Sequence, residues 1–240
     1  MISVALAAYN GEKYIEQQIR SILPQLSHDD EIIVSDNSYN GATAAVVERL
    51  MAEDARVIYV ESRTRGVVPN FSNAIRHCHG DIIFLCDQDD VWLPEKVKRV
   101  MEAFDEGADL VVHNAYVTDA DLNITDYSYF KIRKSGKGII KNIYKNTYMG
   151  CCMAFRRKYF PKILDIPRYV PMHDQWIGLI GEIYGKVVFL DLPLIYYRVH
   201  GGNVTAKKGK ASLSKRMEWR RSIVHALIGR VFFPGRKRKR

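Results

Sequence analysis

Three carboxylates fall within four residues at Asp87-Gln88-Asp89-Asp90. They follow the apolar run Asp81–Cys86, which reads as a buried strand, and precede Val91-Trp92-Leu93-Pro94. Acids this close repel one another unless a cation sits among them. A hard divalent ion such as magnesium or manganese takes one or two carboxylate oxygens and completes its shell with substrate phosphates. The competing reading is a solvated acidic turn capping the helix that starts at Pro94. The apolar flanks on both sides weaken it.

Two other strand ends carry suggestive groups. Tyr9 and Asn10 follow the apolar run Ile2–Ala8, and Asp36 follows Glu31–Ser35. In open α/β sheets ligands bind beyond the carboxyl ends of the strands, so the three ends point into one crevice. Much later, Asp174 stands before Gln175. Read from its position alone, it suits the N-cap of a helix. His173 reads as a polar loop residue and His113 as a satisfied buried histidine. Trp176 joins Leu179, Ile180 and Ile183 in a stripe at helical spacing. Arg198 is open between a diphosphate contact and a charge at a sheet edge.

The elements that must position these residues alternate. Strands are expected at Ile2–Ala8, Glu31–Ser35, Val57–Val60, Asp81–Cys86 and Asp109–His113. Between them lie helical patterns from Glu12 to Leu23, Thr43–Met51, Pro69–His77 and Pro94–Phe104. Such alternation implies right-handed crossovers, and hence an α/β fold with a mostly parallel sheet flanked by helices. The polar stretch 119–146 suits a long loop or an acceptor-side excursion. Gly150–Phe155, Val187–Leu190 and Leu194–Val199 read as further strands, and Arg156–Leu164 as a short helix. The expected division is a binding half over 1–113, a second half of the same domain over 114–205, and a tail over 206–240.

Apolar residues make up 47% of the 240 and charged ones 26%, enough for a sizeable core. The four cysteines have neither zinc-ligand nor disulfide spacing and suit buried, reduced thiols. No apolar run reaches the ~18–20 residues of a membrane span. The N-terminal run lacks a basic lead and turns at Tyr9-Asn10-Gly11, unlike a secretion signal, so a cytoplasmic location is expected.

The net charge of +9 is unevenly placed. Residues 207–240 hold 13 Lys/Arg against one acid, +12, and the other 206 residues hold 23 bases and 26 acids, −3. Within the tail Leu213, Met217, Val224, Leu227, Ile228 and Val231 recur at roughly helical spacing. Lys215, Arg216, Arg220, Arg221 and Arg230 lie among them. Trp219, Phe232 and Phe233 add aromatics, and Arg236–Arg240 is wholly basic. A basic amphipathic helix of this kind suits an anionic membrane surface. No recognised nucleic-acid motif accompanies the charge, so nucleic acid is not an expected partner.

Five motifs in order carry a family resemblance. They are Ala8-Tyr9-Asn10-Gly11 with Tyr14-Ile15, Ile33–Asp36, Gly80–Pro94, His173–Trp176 and Tyr197–Asn203. Together they closely resemble the family-2 inverting glycosyltransferases of the GT-A (Rossmann-like) fold, in particular the rhamnosyltransferase-like branch of bacterial surface-polysaccharide synthesis. The resemblance covers residues 1 to about 205. It implies a nucleotide-sugar donor, dTDP- or UDP-linked, and a glycan or lipid-linked glycan acceptor. Tyr9 would lie against the base, Asp36 would bond the base or ribose, and Asp87 and Asp89 would form the D-x-D pair. Asp89 would be the direct ligand of Mn2+ or Mg2+, Asp174 the general base, and His200 a histidine reaching the metal or the diphosphate.

Such an enzyme would sit peripherally on the inner face of the cell membrane. One departure stands out: Ser35-Asp36-Asn37-Ser38-Tyr39-Asn40-Gly41 replaces the family's usual Asp-Asp-Gly-Ser-Thr-Asp, so Asn37 stands for the second acid. That change favours an alternative, a catalytically impaired relative acting as a membrane-docked partner in a glycan-assembly complex.

Overall fold

The computed structural model describes residues 1–201 and 212–232. Gly202, Asn203, Phe233 and the basic run Arg236–Arg240, all singled out in the sequence, lie outside the described residues. The strands are β1 (Ile2–Ala8), β2 (Glu31–Asp36), β3 (Val57–Glu61), β4 (Ile82–Asp87) and β5 (Val91–Trp92). They continue with β6 (Leu110–Thr118), β7 (Ile124–Asp126), β8 (Met153–Arg156) and β9 (Val187–Arg198). All belong to one sheet in the order β3-β2-β1-β4-β8-β6-β9-β5, with β7 added beside β6.

The quartet β3-β2-β1-β4 is parallel. Beyond it β8 runs antiparallel to both β4 and β6, and β6 pairs in parallel with β9. Strands β2 and β4 read as near-continuous apolar runs because helices cover both faces. The helices are α1 (Ile15–Ile22), α2 (Ala42–Glu53), α3 (Val67–His77), α4 (Lys96–Asp105) and α5 (Tyr129–Arg133). They continue with α6 (Ile139–Tyr144), α7 (Phe160–Ile163), α8 (His173–Tyr184) and α9 (Leu213–Phe232). In α1, Ile15, Ile19 and Ile22 recur at helical spacing and are wholly buried. Trp176, Phe71, Phe84 and Phe155 fill the layers between helices and sheet.

β1 sits where the strand order reverses, with β2 on one side and β4 on the other. That switch point opens a crevice at the carboxyl ends. The register places Ala8 beside Asp36 and Ala7 beside Asp87, so the two acids flank the end of β1.

Several expectations shift. The polar stretch 119–146 holds β7, α5 and α6 rather than one loop. The strand expected at Asp109–His113 extends to Thr118 and crosses residue 113. The two late strands are one, β9, continued through Pro193 at a register shift opposite Asn114. A bulge tolerates a proline, which cannot donate to the ladder. Helix α4 starts at Lys96, because Glu95 adopts a left-handed backbone with φ 68°. The cysteines are free and buried, as their spacing implied. No helix among the described residues is long and apolar enough to cross a membrane.

Helix α9 also differs from a free tail. It docks on the body through Ile223, Ala226 and Leu227. Arg230 donates to the carbonyls of Pro161 and Leu164 at 3.0 and 2.9 Å, fixing its far end.

Candidate active site

The end of β1 is held open by a side chain from β4's end. Gln88 accepts from the Tyr9 N–H at 2.6 Å and donates to the Tyr9 carbonyl at 3.0 Å. Asn10 follows with φ 49°, its N–H donating to Ser38 Oγ at 2.7 Å. A Cβ on Gly11 would lie 2.2 Å from Gln88 Oε1, so only glycine admits the clamp. The Tyr9 ring is left 55% exposed at the crevice. A flat, accessible ring beside the switch point can stack on a base.

Asp36 is buried at the end of β2. It accepts from the Ser38 N–H at 2.9 Å and from the Tyr59 hydroxyl at 3.4 Å. Burial and this carboxylate push the Tyr59 phenol up to about 12. Asn37 beside it is 4% exposed. Its amide donates to the Ala8 carbonyl at 3.1 Å and accepts from the Gly66 N–H at 3.2 Å. An aspartate could not donate to that carbonyl, which gives the departure at Asn37 a local structural reason.

The acid cluster divides into two groups. Asp89 Oδ2 meets His200 Nε2 at 2.8 Å, and the His200 ring lies 4.9 Å from that of Tyr14. Asp87, Asp90 and Cys151 offer ligand atoms all within 4.8 Å of one another. Burial, then Asp89 and Asp174, push the Asp87 carboxyl up to about 7. Asp90 is fully buried and held well above the carboxylate range by burial and its two acidic neighbours. Its Oδ1 accepts from the Arg198 N–H at 3.1 Å, while Oδ2 has no hydrogen-bond partner among the described residues. Crowded hard oxygens that resist ionisation together are the donor set a divalent cation relieves.

Arg198 braces this cluster. It is 4% exposed and donates to the Asp89 carbonyl at 2.7 Å and to Gln17 Oε1 at 2.6 Å. Buried on a strand between β6 and β5, it is not a charge at a sheet edge.

Asp174 comes from α8, far along the chain from the strand-end acids. Helix α8 begins at His173 with Met172 as N-cap, two residues earlier than expected, so Asp174 lies inside the first turn rather than capping it. Its Oδ1 accepts from the Gln175 N–H at 2.6 Å and from Asn146 Nδ2 at 3.0 Å. Burial pushes the carboxyl up to about 6, against those hydrogen bonds. Its charge also raises Asp87, so the two carboxyls lie within electrostatic reach of each other. His173 is no loop residue. It is 7% exposed, stacks on Phe71 at 3.9 Å, and burial lowers its imidazole to about 3. Trp176 is wholly buried and donates to the Ile163 carbonyl at 2.9 Å, a packing residue. His113 is half satisfied: Nδ1 lies 2.7 Å from the Asn114 carbonyl, and Nε2 lacks a partner among the described residues.

Three residues at the site carried no role in the sequence. Gln88 stood inside the acidic motif, but nothing in it marked a clamp. Asn146 lies 28 residues from the carboxylate it touches. Lys96 opens α4 and is wholly buried beneath the cluster. Its Nζ donates to the Cys151 carbonyl at 3.0 Å and lies 3.8 Å from the Trp92 ring centroid.

Among solved structures, the chain resembles S. aureus TarS 1-349 in complex with UDP-GlcNAc, with a TM-score of 0.74 at 18% identity over 95% of this chain and 66% of that one. It also resembles the mannosyltransferase PcManGT from Pyrobaculum calidifontis in complex with GDP-Man and Mn2+, at TM-score 0.65, 15% identity and 97% and 75% coverage. The GT-A-like α/β fold is therefore shared. In sequence it is 26% identical to an uncharacterized glycosyltransferase of Nostoc sp. over 84% of this chain and 66% of that protein. It is 24% identical to the Escherichia coli glucosyltransferase WfaP, over 88% and 82%, and to the Shigella flexneri dTDP-rhamnosyl transferase RfbG, over 82% and 72%. The chain spans just under two thirds of the Nostoc relative and 34% of Streptococcus pneumoniae GlyA. The profile described as Glycosyl transferase family 2 matches residues 3–164, about two thirds of the sequence, and the chain belongs to that family.

Proposed function

We propose that the protein transfers a sugar from a nucleotide-diphosphate donor to a hydroxyl of a glycan acceptor in cell-surface polysaccharide synthesis, with inversion at the anomeric carbon. The observation that carries this reading is the pair of acids at the end of β1, Asp36 and Asp87, with the Asp174 carboxyl, pushed up to about 6, within electrostatic reach of Asp87. The strand ends are suited to a nucleotide diphosphate and Asp174 to accepting a proton.

Tyr9 stacks on the base, while Asp36 and Asp87 hold the nucleoside side of the donor. Mn2+ or Mg2+ would be held by Asp89 and Asp87, with His200 beside Asp89. That ion, when bound, supplies positive charge opposite the diphosphate. Asp174 accepts the proton of the acceptor hydroxyl as its oxygen forms the new bond to the anomeric carbon. The bond from that carbon to the diphosphate oxygen breaks, and its electron pair leaves with the diphosphate. Attack comes from the face opposite the leaving group, so a single displacement inverts the centre. Asn146 keeps the carboxylate aimed and partly stabilised in its charged form.

Relatives support the chemical class of each substrate. WfaP is named for UDP-glucose and a diphosphoundecaprenol-linked acceptor, and RfbG for dTDP-rhamnose. We take a UDP- or dTDP-sugar as donor and a lipid-linked glycan as acceptor. The enzyme works peripherally at the cytoplasmic face of the membrane, with basic α9 toward anionic lipid. A binding partner without turnover is the second reading, and it rests on the changed stretch Asn37–Gly41 alone.

The test is hydrolysis of UDP- and dTDP-sugars with manganese present, repeated with Asp89→Ala and Asp174→Ala. Turnover abolished by both substitutions supports the transferase. No turnover of any common nucleotide sugar sinks it in favour of the binding partner.

A further inference from the structure

Helix α9 has two apolar faces. Ile223, Ala226 and Leu227 meet the body. At about 100° per residue, Leu213, Met217, Val224, Ile228 and Val231 form a second stripe about 60° wide, rotated away from the first. Four of these stay open to solvent: Leu213 is 76% exposed, Met217 46%, Val224 36% and Ile228 49%. Docking on the body therefore leaves an apolar stripe, interrupted at Arg220 and Arg221, largely uncovered.

The short helix α6 extends that stripe. Ile139 and Ile143 join Val224, Ile228, Val231 and Phe232 around an apolar groove of about 210 Å³. Outside the groove, Ile140 is 85% exposed and Tyr144 68%, and Phe232 on its lining is still 71% exposed. Arg220 ties the two helices, donating to the Tyr144 carbonyl at 3.1 Å with its guanidinium 3.9 Å from the ring centroid. Contiguous apolar exposure on this scale marks an interaction surface.

The charges around it identify the occupant. Residues 131–145 hold six Lys/Arg and no acid, and Lys134, Lys137, Lys141 and Lys145 are exposed. Residues 213–232 hold five Lys/Arg and one acid. A second copy of the chain would bring these cations against one another. An anionic bilayer complements them, taking the apolar side chains below its headgroups and the cations among them.

The surface also adjoins the site. Asn146, two residues beyond α6, donates to Asp174.

We infer that α6 and α9 together form one anionic-membrane docking face, with Ile140 and Ile228 as its inserted side chains, holding Asp174 toward acceptors that sit in the bilayer. The inference deepens the peripheral-membrane reading above and rests on it.

Co-sedimentation of the full chain with phosphatidylcholine vesicles containing about 30% phosphatidylglycerol, at roughly 0.1 M salt, tests it. The chain is expected to bind these vesicles and not pure phosphatidylcholine. Ile140→Glu and Ile228→Glu should each lower binding about tenfold, the loss of one buried isoleucine. Both positions are exposed, so unchanged melting and unchanged donor hydrolysis verify that each variant is folded. Loss with Ile228→Glu but wild-type binding with Ile140→Glu overturns the composite face and leaves the α9 reading standing. No vesicle binding by the wild type overturns both, while donor hydrolysis decides the transferase separately. A dimeric mass by light scattering that Ile140→Glu halves assigns the face to a second copy and overturns the inference.

Discussion

Asp89 Oδ2 and His200 Nε2 lie 2.8 Å apart across 111 residues of sequence. The pair joins the loop after β4 to the end of β9, so it depends on the long strand that passes through Pro193. A histidine placed here either ligates a cation beside Asp89 or orients that carboxylate. Both roles strengthen the hold on a cation. His200→Ala should therefore raise the manganese concentration for half-maximal donor hydrolysis by ~10–100-fold, with saturating manganese restoring much of the rate. A variant whose manganese dependence matches the wild type rules out this role.

The rate should report the Asp174 carboxyl directly. A general base works only when ionised, so kcat/KM should rise with pH through about 6. Asn146 donates to the ionised form and so lowers this pKa. Asn146→Ala removes that donor, and the rising limb should move to higher pH. Asp174→Asn should cost ~10²–10⁴-fold above pH 6, where the wild-type carboxyl is ionised, and should remove the rising limb. An Asn146→Ala profile superimposable on the wild type would show that the limb belongs to another group.

Stability without metal should also depend on pH at Asp87. The folded carboxyl keeps its proton to about 7, above the ordinary 3.8 of the unfolded chain. Between those values the folded state binds more protons, so this group's contribution is full at low pH and is lost as pH rises through about 7. Asp87→Asn cannot ionise. With metal chelated, the variant should gain on the wild type from pH 5 to 8, by about 1 kcal/mol or more, roughly 2–4 °C in melting temperature. Manganese should raise the wild-type melting temperature and reverse the order. A difference that does not change with pH counts against a strained acid cluster.

The positions of these acids were legible because each stands at the end of an apolar strand. Asp36, Asp87 and Tyr9 needed only strand periodicity and the rule that ligands gather at carboxyl ends. Gly11 and the acidic quartet were visible, but the clamp was not, since a glutamine's hydrogen bonds to a backbone 79 residues away leave no local pattern. Lys96 went unmarked for a related reason: nothing local in a lysine in a first turn shows that tertiary packing covers it. His173 misled, because its burial comes from Phe71 on α3. The stretch 119–146 reads as a loop since α5 and α6 are only five and six residues long, too short for a periodicity to register. In α9 the spacing was read correctly as helical, yet periodicity could not tell which of two apolar faces meets protein.

The positioning of α8 yields the last prediction. Gly178 lies in the middle of this helix, where alanine would ordinarily gain ~0.8–1 kcal/mol in propensity. Here a Cβ would lie 2.4 Å from the Tyr148 ring. That ring is 1% exposed, and its hydroxyl donates to Glu182, so it cannot swing aside without unmaking a buried hydrogen bond. Forcing a methyl group into such packing costs ~1–3 kcal/mol, and the steeper end applies against an anchored ring. Gly178→Ala should therefore lower the unfolding midpoint in urea despite the better helix former. It should also reduce kcat more than it raises the donor KM, because displacement of α8 moves Asp174 and leaves the β1 and β4 ends in place. A higher midpoint with unchanged kcat would mean that Tyr148 yields, and that the close contact does not set the position of Asp174.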